Sequence, residues 1–475
     1  MEKLLNEIST CCQPAYDISC DINIEINIPS NLQRCSSLHF PNITESDLLR
    51  HFTNLSRNNY ALSTTFYPLG SCTMKHNPLI SEQVARHYRF NQIHPYQDEL
   101  TIQGNLEIMY KLEQDLCAIS GMDYFTLQPA AGAHGELTGL LIIAKYFETI
   151  KQKRTTVIIP DSAHGTNPSS AMLAGFNVIT LDSTHDGQIN IDKLKQLLNE
   201  NVAAIMLTVP NTLGVFEKNI LTITELAHNN GTIMYYDGAN LNAIVGIIKP
   251  GDLGFDIMHI NLHKTFAAPH GGGGPGSGPV GVKKFLEPFL PIPRIINNKT
   301  HFVFNYEKHQ SIGKIKAFFG NFPVILKSYV YIKLLGAEGL INSTKQAVLN
   351  ANYMLAKLRD NIDVPGGHKC LHEFVLSLKS ILKNGVKTVD VAKRLLDYGY
   401  YAPTIYFPLI VEESIMMEPT ETESKQTLDK FIEIFKIIIF KEMLDESDKI
   451  KCAPHTTIVR RLDEVIAARN PVLRW

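Results

Sequence analysis

The sequence has no Cys-x-x-Cys pair and no cysteine–histidine cluster at zinc spacing, although it carries eight cysteines (11, 12, 20, 35, 72, 117, 370 and 452). Scattered thiols of this kind exclude a zinc module and argue against a disulfide scaffold; reduced thiols in the cytoplasm are the expectation. No apolar stretch approaches the roughly 18 residues that cross a bilayer, so no membrane partner is expected. The opening run Met1-Glu-Lys-Leu-Leu-Asn-Glu7 lacks a basic region followed by an apolar core, and no secretory signal is visible. An excess of charge is missing too. A formal net charge of −2 advertises no basic face for nucleic acid or anionic lipid. No Gly-x-Gly-x-x-Gly opens a helix after the first strand-like run, which argues against a dinucleotide site. The glycine-rich stretch 270–278 lacks the Gly-Lys-Ser/Thr ending of a P-loop.

What is present is an ordinary globular composition, 44% hydrophobic and 19% charged, in a chain of 475 residues. That length predicts two or three domains. Residues 1–90 show no sustained period, with a short extended piece over 22–28, and read as an N-terminal arm. Residues 91–325 read as a large α/β domain, and 326–475 as a smaller α+β domain. In the middle part, short apolar runs (156–159, 176–181, 203–209, 232–236 and 257–262) alternate with helical segments at 191–198 and 221–227. Runs of that length, bounded by turns, predict strands buried on both faces of a mostly parallel sheet. Ligands then belong at the C-terminal strand ends.

Those ends carry the polar residues. The first run closes on Asp161-Ser-Ala-His-Gly-Thr-Asn167, the third on Pro210-Asn-Thr-Leu-Gly214, the fourth on Asp237-Gly-Ala-Asn240 and the fifth on His263-Lys264. A lysine at a buried strand end is costly unless it is paired, deprotonated or covalently used. The set suits pyridoxal 5'-phosphate. Lys264 would hold the aldehyde as a Schiff base, and Asp237 would keep the pyridine nitrogen protonated so that the ring is an electron sink. His164 would stack on the ring, and Asn211 with Thr212 would reach the phenolic oxygen. A helix expected near 133 follows the small residues 129–133, so Gly132, Ala133 and His134 form an N-terminal anion site for the phosphate. Each residue taken alone also has a structural reading, as turn former or helix cap.

Two further stretches are candidates. The loop Tyr67-Pro-Leu-Gly-Ser-Cys-Thr-Met-Lys-His-Asn-Pro78 has the composition of a site-lining segment. Arg460 and Arg461, in a late loop, are candidates for clamping a substrate carboxylate, against the commoner reading of a solvated pair.

The loop 67–78, Ser162-Ala-His-Gly-Thr-Asn-Pro168, Asn261-Leu-His-Lys-Thr-Phe266 with its glycine-rich loop, and Met417-Glu-Pro-Thr-Glu-Thr-Glu-Ser424 together resemble the glycine cleavage system P-protein family. The resemblance runs from about residue 30 to the end and is narrowest to subunit 2 of its split form. It implies an aspartate-aminotransferase-like, fold type I enzyme with pyridoxal phosphate on Lys264, Asp237 at the pyridine nitrogen and His164 on the ring. It also implies decarboxylation of glycine, transfer of the aminomethyl carbon to the lipoyl arm of H-protein, and an α2β2 assembly with subunit 1. His134 and His263 fall within matching motifs without an assigned role. Loops 67–78 and 270–278 are the expected entrance for the arm. His76 stands where many relatives are expected to have tyrosine. The alternatives are another enzyme of this fold, an aminotransferase or amino-acid decarboxylase, and a non-catalytic subunit.

Overall fold

The computed structural model describes residues 3–9, 27–36, 40–184, 186–270, 274 and 276–473. Residues 22–26 of the expected extended piece, and 271–273 and 275 of the glycine-rich stretch, lie outside the described residues. Seven strands form the main sheet: β1 (Tyr124–Thr126), β2 (Thr156–Pro160), β3 (Asn177–Leu181), β4 (Val202–Thr208), β5 (Ile233–Gly238), β6 (Ile257–Ile260) and β7 (Val280–Val282). Their order is β1-β7-β6-β5-β4-β2-β3. Only β7 runs against its neighbours β1 and β6; the other pairings are parallel. Every residue of β4, β5 and β6 is buried, which is why they read as continuous apolar runs rather than as alternation.

Helices α1 (Gln103–Ser120), α2 (Gly132–Thr149), α3 (Asn167–Leu173), α4 (Ile191–Leu197) and α5 (Ile220–Asn229) belong to this layer. From β2 the chain runs outward to β3, then returns past β2 to β4 and continues the other way through β5 and β6. The order therefore reverses between β2 and β4. A crevice opens at the C-terminal strand ends beside such a reversal. It is there that residues 161–167, 208–212, 237 and 264 emerge.

A hairpin of β8 (Arg294–Asn297) and β9 (Phe302–Asn305) follows. The next helix, α6 (Phe322–Leu358), is broken at Gly336, whose φ of 61° is left-handed. Its first half packs Val324, Ile325 and Tyr331 into the core of the main sheet. Its second half packs Ala351, Met354, Leu355 and Leu358 into a separate core. That second core is built on the antiparallel sheet β10 (Phe374–Ser377), β12 (Ser414–Met417), β11 (Thr404–Ile405) with helices α7 (Thr388–Asp397) and α8 (Lys425–Ile437). On α8, Leu428, Phe431, Ile432 and Phe435 face that core, the i, i+3, i+4, i+7 stripe of an amphipathic helix.

The expected strands and crossover helices of the middle part are present within one or two residues of their bounds. The last run stops at Ile260, and 262–265 is a helical turn instead of strand. Strands β1 and β7 and the β8–β9 hairpin were not expected: three or four residues are too few to show a period.

Candidate active site

Lys264 sits in the helical turn after β6 and is 6% exposed. Its Nζ donates to the Ser71 carbonyl at 2.8 Å, so the loop 67–78 closes over it. Asp237, at the end of β5, is fully buried. Its Oδ2 accepts from Asn167 Nδ2 and Thr208 Oγ1, each at 3.0 Å, and its Oδ1 from the Ala239 N–H at 2.9 Å. His259 Nε2 lies 3.1 Å from Oδ1, although its N–H is not aligned for a hydrogen bond. Burial works against the Asp237 carboxylate, but the charge of His259 and the Ala239 N–H outweigh it and hold its pKa well below the usual range. Burial likewise disfavours the His259 cation, and Asp237 reverses that, raising its pKa. His259 Nδ1 lies 3.2 Å from the Tyr235 hydroxyl. Asp237 is thus fixed as an anion with a buried histidine behind it.

His164 is half-buried in the crevice. Its N–H donates to Thr208 Oγ1 at 3.0 Å, and its Nδ1 is 3.2 Å from Thr166 Oγ1. Burial first, then the charge on Lys264, push its pKa down to about 4, so the ring is neutral. Glu136, Asp237 and His164 bring one ligand atom each to within 4.8 Å of one another. Glu136 is occupied by Thr166 Oγ1 at 2.6 Å and Ser170 Oγ at 2.8 Å.

The turn before α2 has the form expected of an anion site. Helix α2 starts at Gly132 with no side-chain cap, leaving the first N–H groups without helical partners. Gly132 is required by close approach: a Cβ there would overlap the Asn261 side chain. A Cβ on Gly278 would likewise overlap the Ala131 carbonyl. Asn261 Oδ1 and Ser277 Oγ are buried without a hydrogen-bond partner. Free N–H groups at a helix N-terminus, with a Ser277 hydroxyl that has no partner and can donate, fit a phosphate; Asn261 Oδ1 can only accept. Ala133 is exposed. His134 is half-buried and accepts from the Ala130 N–H at 3.2 Å. His263 meets His270 edge-on at 4.9 Å, and burial, then Lys264, push its pKa down to about 3.

Asn211 and Thr212 are present at the end of β4 but are engaged locally. Asn211 donates to the Gly187 carbonyl at 2.7 Å and accepts the N–H groups of Leu213 and Val215. Thr212 Oγ1 donates to the Ser162 carbonyl at 2.9 Å. Arg460 donates to the Pro454 carbonyl, and Arg461 bonds the Ala453 carbonyl and pairs with Asp390 at 2.7 Å. Those bonds join neither arginine to the Lys264 group.

A second ring of residues comes from the small sheet. Leu69 bridges Met417, Thr73 Oγ1 donates to Glu418 at 2.6 Å, and Lys75 Nζ pairs with Glu421 at 2.7 Å. Ser71 N–H donates to Glu373 at 2.7 Å. The motif 67–78 is therefore laid along 417–422 and carried to the lysine. Beside it opens a cleft of about 520 Å3 lined by Tyr67, Thr73, Met74, Lys75, His263 and His270. His259, Asn167, Glu373 and Glu418 were not singled out by the sequence reading. Asn167 and Glu418 lie inside the stretches 161–167 and 417–424, whereas Glu373 lies in none of those stretches and His259 looks like any strand residue.

Among the described residues, five cysteines (35, 72, 117, 370 and 452) are free, and no helix is long and apolar enough to cross a membrane. Residues 18–299 match the family model of the glycine cleavage system P-protein, and 343–460 that of the glycine dehydrogenase C-terminal domain. A probable glycine dehydrogenase (decarboxylating) subunit 2 of Endomicrobium trichonymphae is 68% identical over the whole chain and 99% of its own length. Its namesake from Bacillus cytotoxicus is 54% identical over 97% of this chain and 94% of its own. Among solved structures, an inhibitor-bound glycine decarboxylase (P-protein) of the glycine cleavage system superposes with a TM-score of 0.72. It is 20% identical, over 86% of this chain and 93% of that one. A NifS-like protein follows at 0.61, 15% identical, over 79% and 99%. The chain belongs to the glycine cleavage system P-protein family, alongside the relatives named glycine dehydrogenase (decarboxylating) subunit 2.

Proposed function

We propose that this chain holds pyridoxal 5'-phosphate on Lys264, decarboxylates glycine and passes the aminomethyl carbon to the lipoyl arm of H-protein. The observation that carries the reading is a buried lysine at one strand end beside an aspartate kept ionised at the next. When bound, the cofactor supplies a sink for the electron pair left when CO2 departs. Asp237 holds the pyridine nitrogen protonated, and His259 and Asn167 fix the carboxylate for that purpose. Gly132, Ala133 and His134 offer N–H groups to the phosphate, and His164 packs on the ring. Asn211 and Thr212 serve the phenolic oxygen only if their present bonds rearrange. Lys264 would carry the cofactor's aldehyde, and its amine, when free, would be placed to move a proton. Loop 67–78 excludes water from the reacting carbon, and the cleft beside it admits the arm.

A second subunit belongs to the same proposal, as an α2β2 assembly in the cytoplasm; the wording "subunit 2" in the relatives' names supports a partner. The test is exchange of labelled bicarbonate into glycine with H-protein. It is expected only when both subunits are mixed, and to fall at least about 100-fold in Lys264→Ala. Full exchange by this chain without its partner would refute the assembly. Purified protein without a near-visible band after adding the cofactor would refute the enzyme.

A further inference from the structure

Between the loop 67–78 and the small sheet lies a group that none of the roles above uses. Glu373, Glu418 and His372 are all buried, and each brings an oxygen or nitrogen to within 4.8 Å of the other two. Glu373 is satisfied by the Ser71 N–H at 2.7 Å and Asn240 Nδ2 at 3.1 Å. Glu418 has only the Thr73 hydroxyl on Oε1, and its Oε2 is buried without a partner. Both nitrogens of His372 are buried without a partner as well. Ser71 ties the group to the reacting lysine, since its N–H meets Glu373 while its carbonyl accepts from Lys264.

Two carboxylates this close in a dry site cannot both be ionised. The charges facing them are Lys264 from the turn after β6, Lys75 and the Cys72 thiol from loop 67–78, and Glu421 from the segment after β12. Lys75 is already neutralised by Glu421 at 2.7 Å. His372 is no counter-ion: burial, then Lys264, push its pKa down to about 3. Burial raises Glu373 to about 7 against the Ser71 N–H and Lys264. Burial first and Glu373 second hold Glu418 well above the carboxylate range.

Resting on the proposed decarboxylation, the proton balance gives such a group a task. Glycine enters as the zwitterion, and breaking its C–C bond releases neutral CO2 and leaves the electron pair on the methylene carbon. That pair becomes a C–H bond, or a C–S bond with the second lipoyl sulfur leaving as thiolate and then protonated to the thiol. Either way one proton is taken up per CO2. We propose that Glu373 and Glu418 form a proton-sharing carboxyl pair beside Lys264 that stores the proton which decarboxylation takes up. Glu418, with its unpartnered Oε2, carries the proton, and Glu373 is the acceptor held in place by Ser71 and Asn240.

The test has a reading independent of turnover. Infrared spectra of the protein at neutral pH, with and without cofactor, should show a protonated-carboxyl band sensitive to deuterium exchange. That band should be lost in Glu418→Gln and so remain in the wild-type-minus-Glu418→Gln difference. Glu113, also buried with a raised pKa, contributes its own band to both proteins and cancels. In the reconstituted system Glu418→Gln should lower bicarbonate exchange about 100-fold or more with cofactor absorbance and melting temperature retained. Glu418→Asp should recover part of it, and Glu373→Gln should move the alkaline limb of the pH profile. A protonated-carboxyl band unchanged in Glu418→Gln would overturn the pair, whatever the enzyme's activity. So would exchange within about threefold of wild type in both glutamine variants, or a stoichiometric divalent metal lost on Glu418→Gln.

Discussion

At the scale of single residues, charge placement matters more than residue type. Asp237 is anionic because His259 and three hydrogen-bond donors surround it, not because aspartate is acidic. Replacing His259 with Asn should remove the charge that faces Asp237 Oδ1 at 3.1 Å. The cofactor should then bind about 10- to 100-fold more weakly by absorbance titration, the effect of about one to two pKa units at Asp237. Lys75 is a structural counterpart. Its ammonium is buried on Glu421 at 2.7 Å and Asn242 Oδ1 at 2.7 Å, with the Tyr331 ring 5.3 Å away. Lys75→Met leaves Glu421 buried and uncompensated, so urea unfolding should show a loss of about 3–5 kcal/mol. Changing Glu421 to Gln in the same chain should recover most of that loss.

At the scale of elements, the loops after β4 and before β10 are locked by backbone contact. Gly214 has φ 75°, and a Cβ there would overlap the Glu373 carbonyl. Its own carbonyl accepts the Leu371 N–H at 2.8 Å. Gly214→Ala must strain both the left-handed backbone and this packing, at about 2 kcal/mol or more. Because it also displaces Glu373, glycine-dependent activity should drop further than thermal stability alone explains. Measuring both on one preparation separates the effects. Most of these elements were legible: the buried strands announce themselves as apolar runs and α8 as a 3.6-residue stripe. Strands β1 and β7 were not, because three residues carry no period and their pairing depends on β6.

At the scale of the molecule, stability follows the buried acids. Glu113 on α1 is buried, with Arg294 Nη2 at 3.6 Å. Burial raises its pKa from 4.5 to about 7, with Arg294 opposing. A carboxyl whose folded pKa is raised contributes stability that is complete below its unfolded pKa and lost as pH climbs through the folded one. Wild type should therefore lose up to about 3 kcal/mol relative to Glu113→Gln between the ordinary carboxyl pKa and about 7. Melting curves of both proteins across that window check the sign; a variant that falls just as steeply contradicts it.

Lys264, Asp237 and His164 could be read from the chain because each stands at the end of an apolar run, and a buried run ending in a charge is a local signal. The turn before α2 was legible for the same reason, its small residues lying next to a helical period. The company these residues keep was not local. Ser71 meets Glu373 across 302 residues and Thr73 meets Glu418 across 345, and no periodicity reports a contact at that separation. His259 lies mid-strand among Ile257, Met258 and Ile260, where only the register β5–β6, Asp237 opposite His259, reveals what it faces. The sequence by itself thus determined the buried strands β2 to β6 and which polar residues stand at their ends. Tertiary structure decided which groups stay charged, because burial and a partner far along the chain set that together.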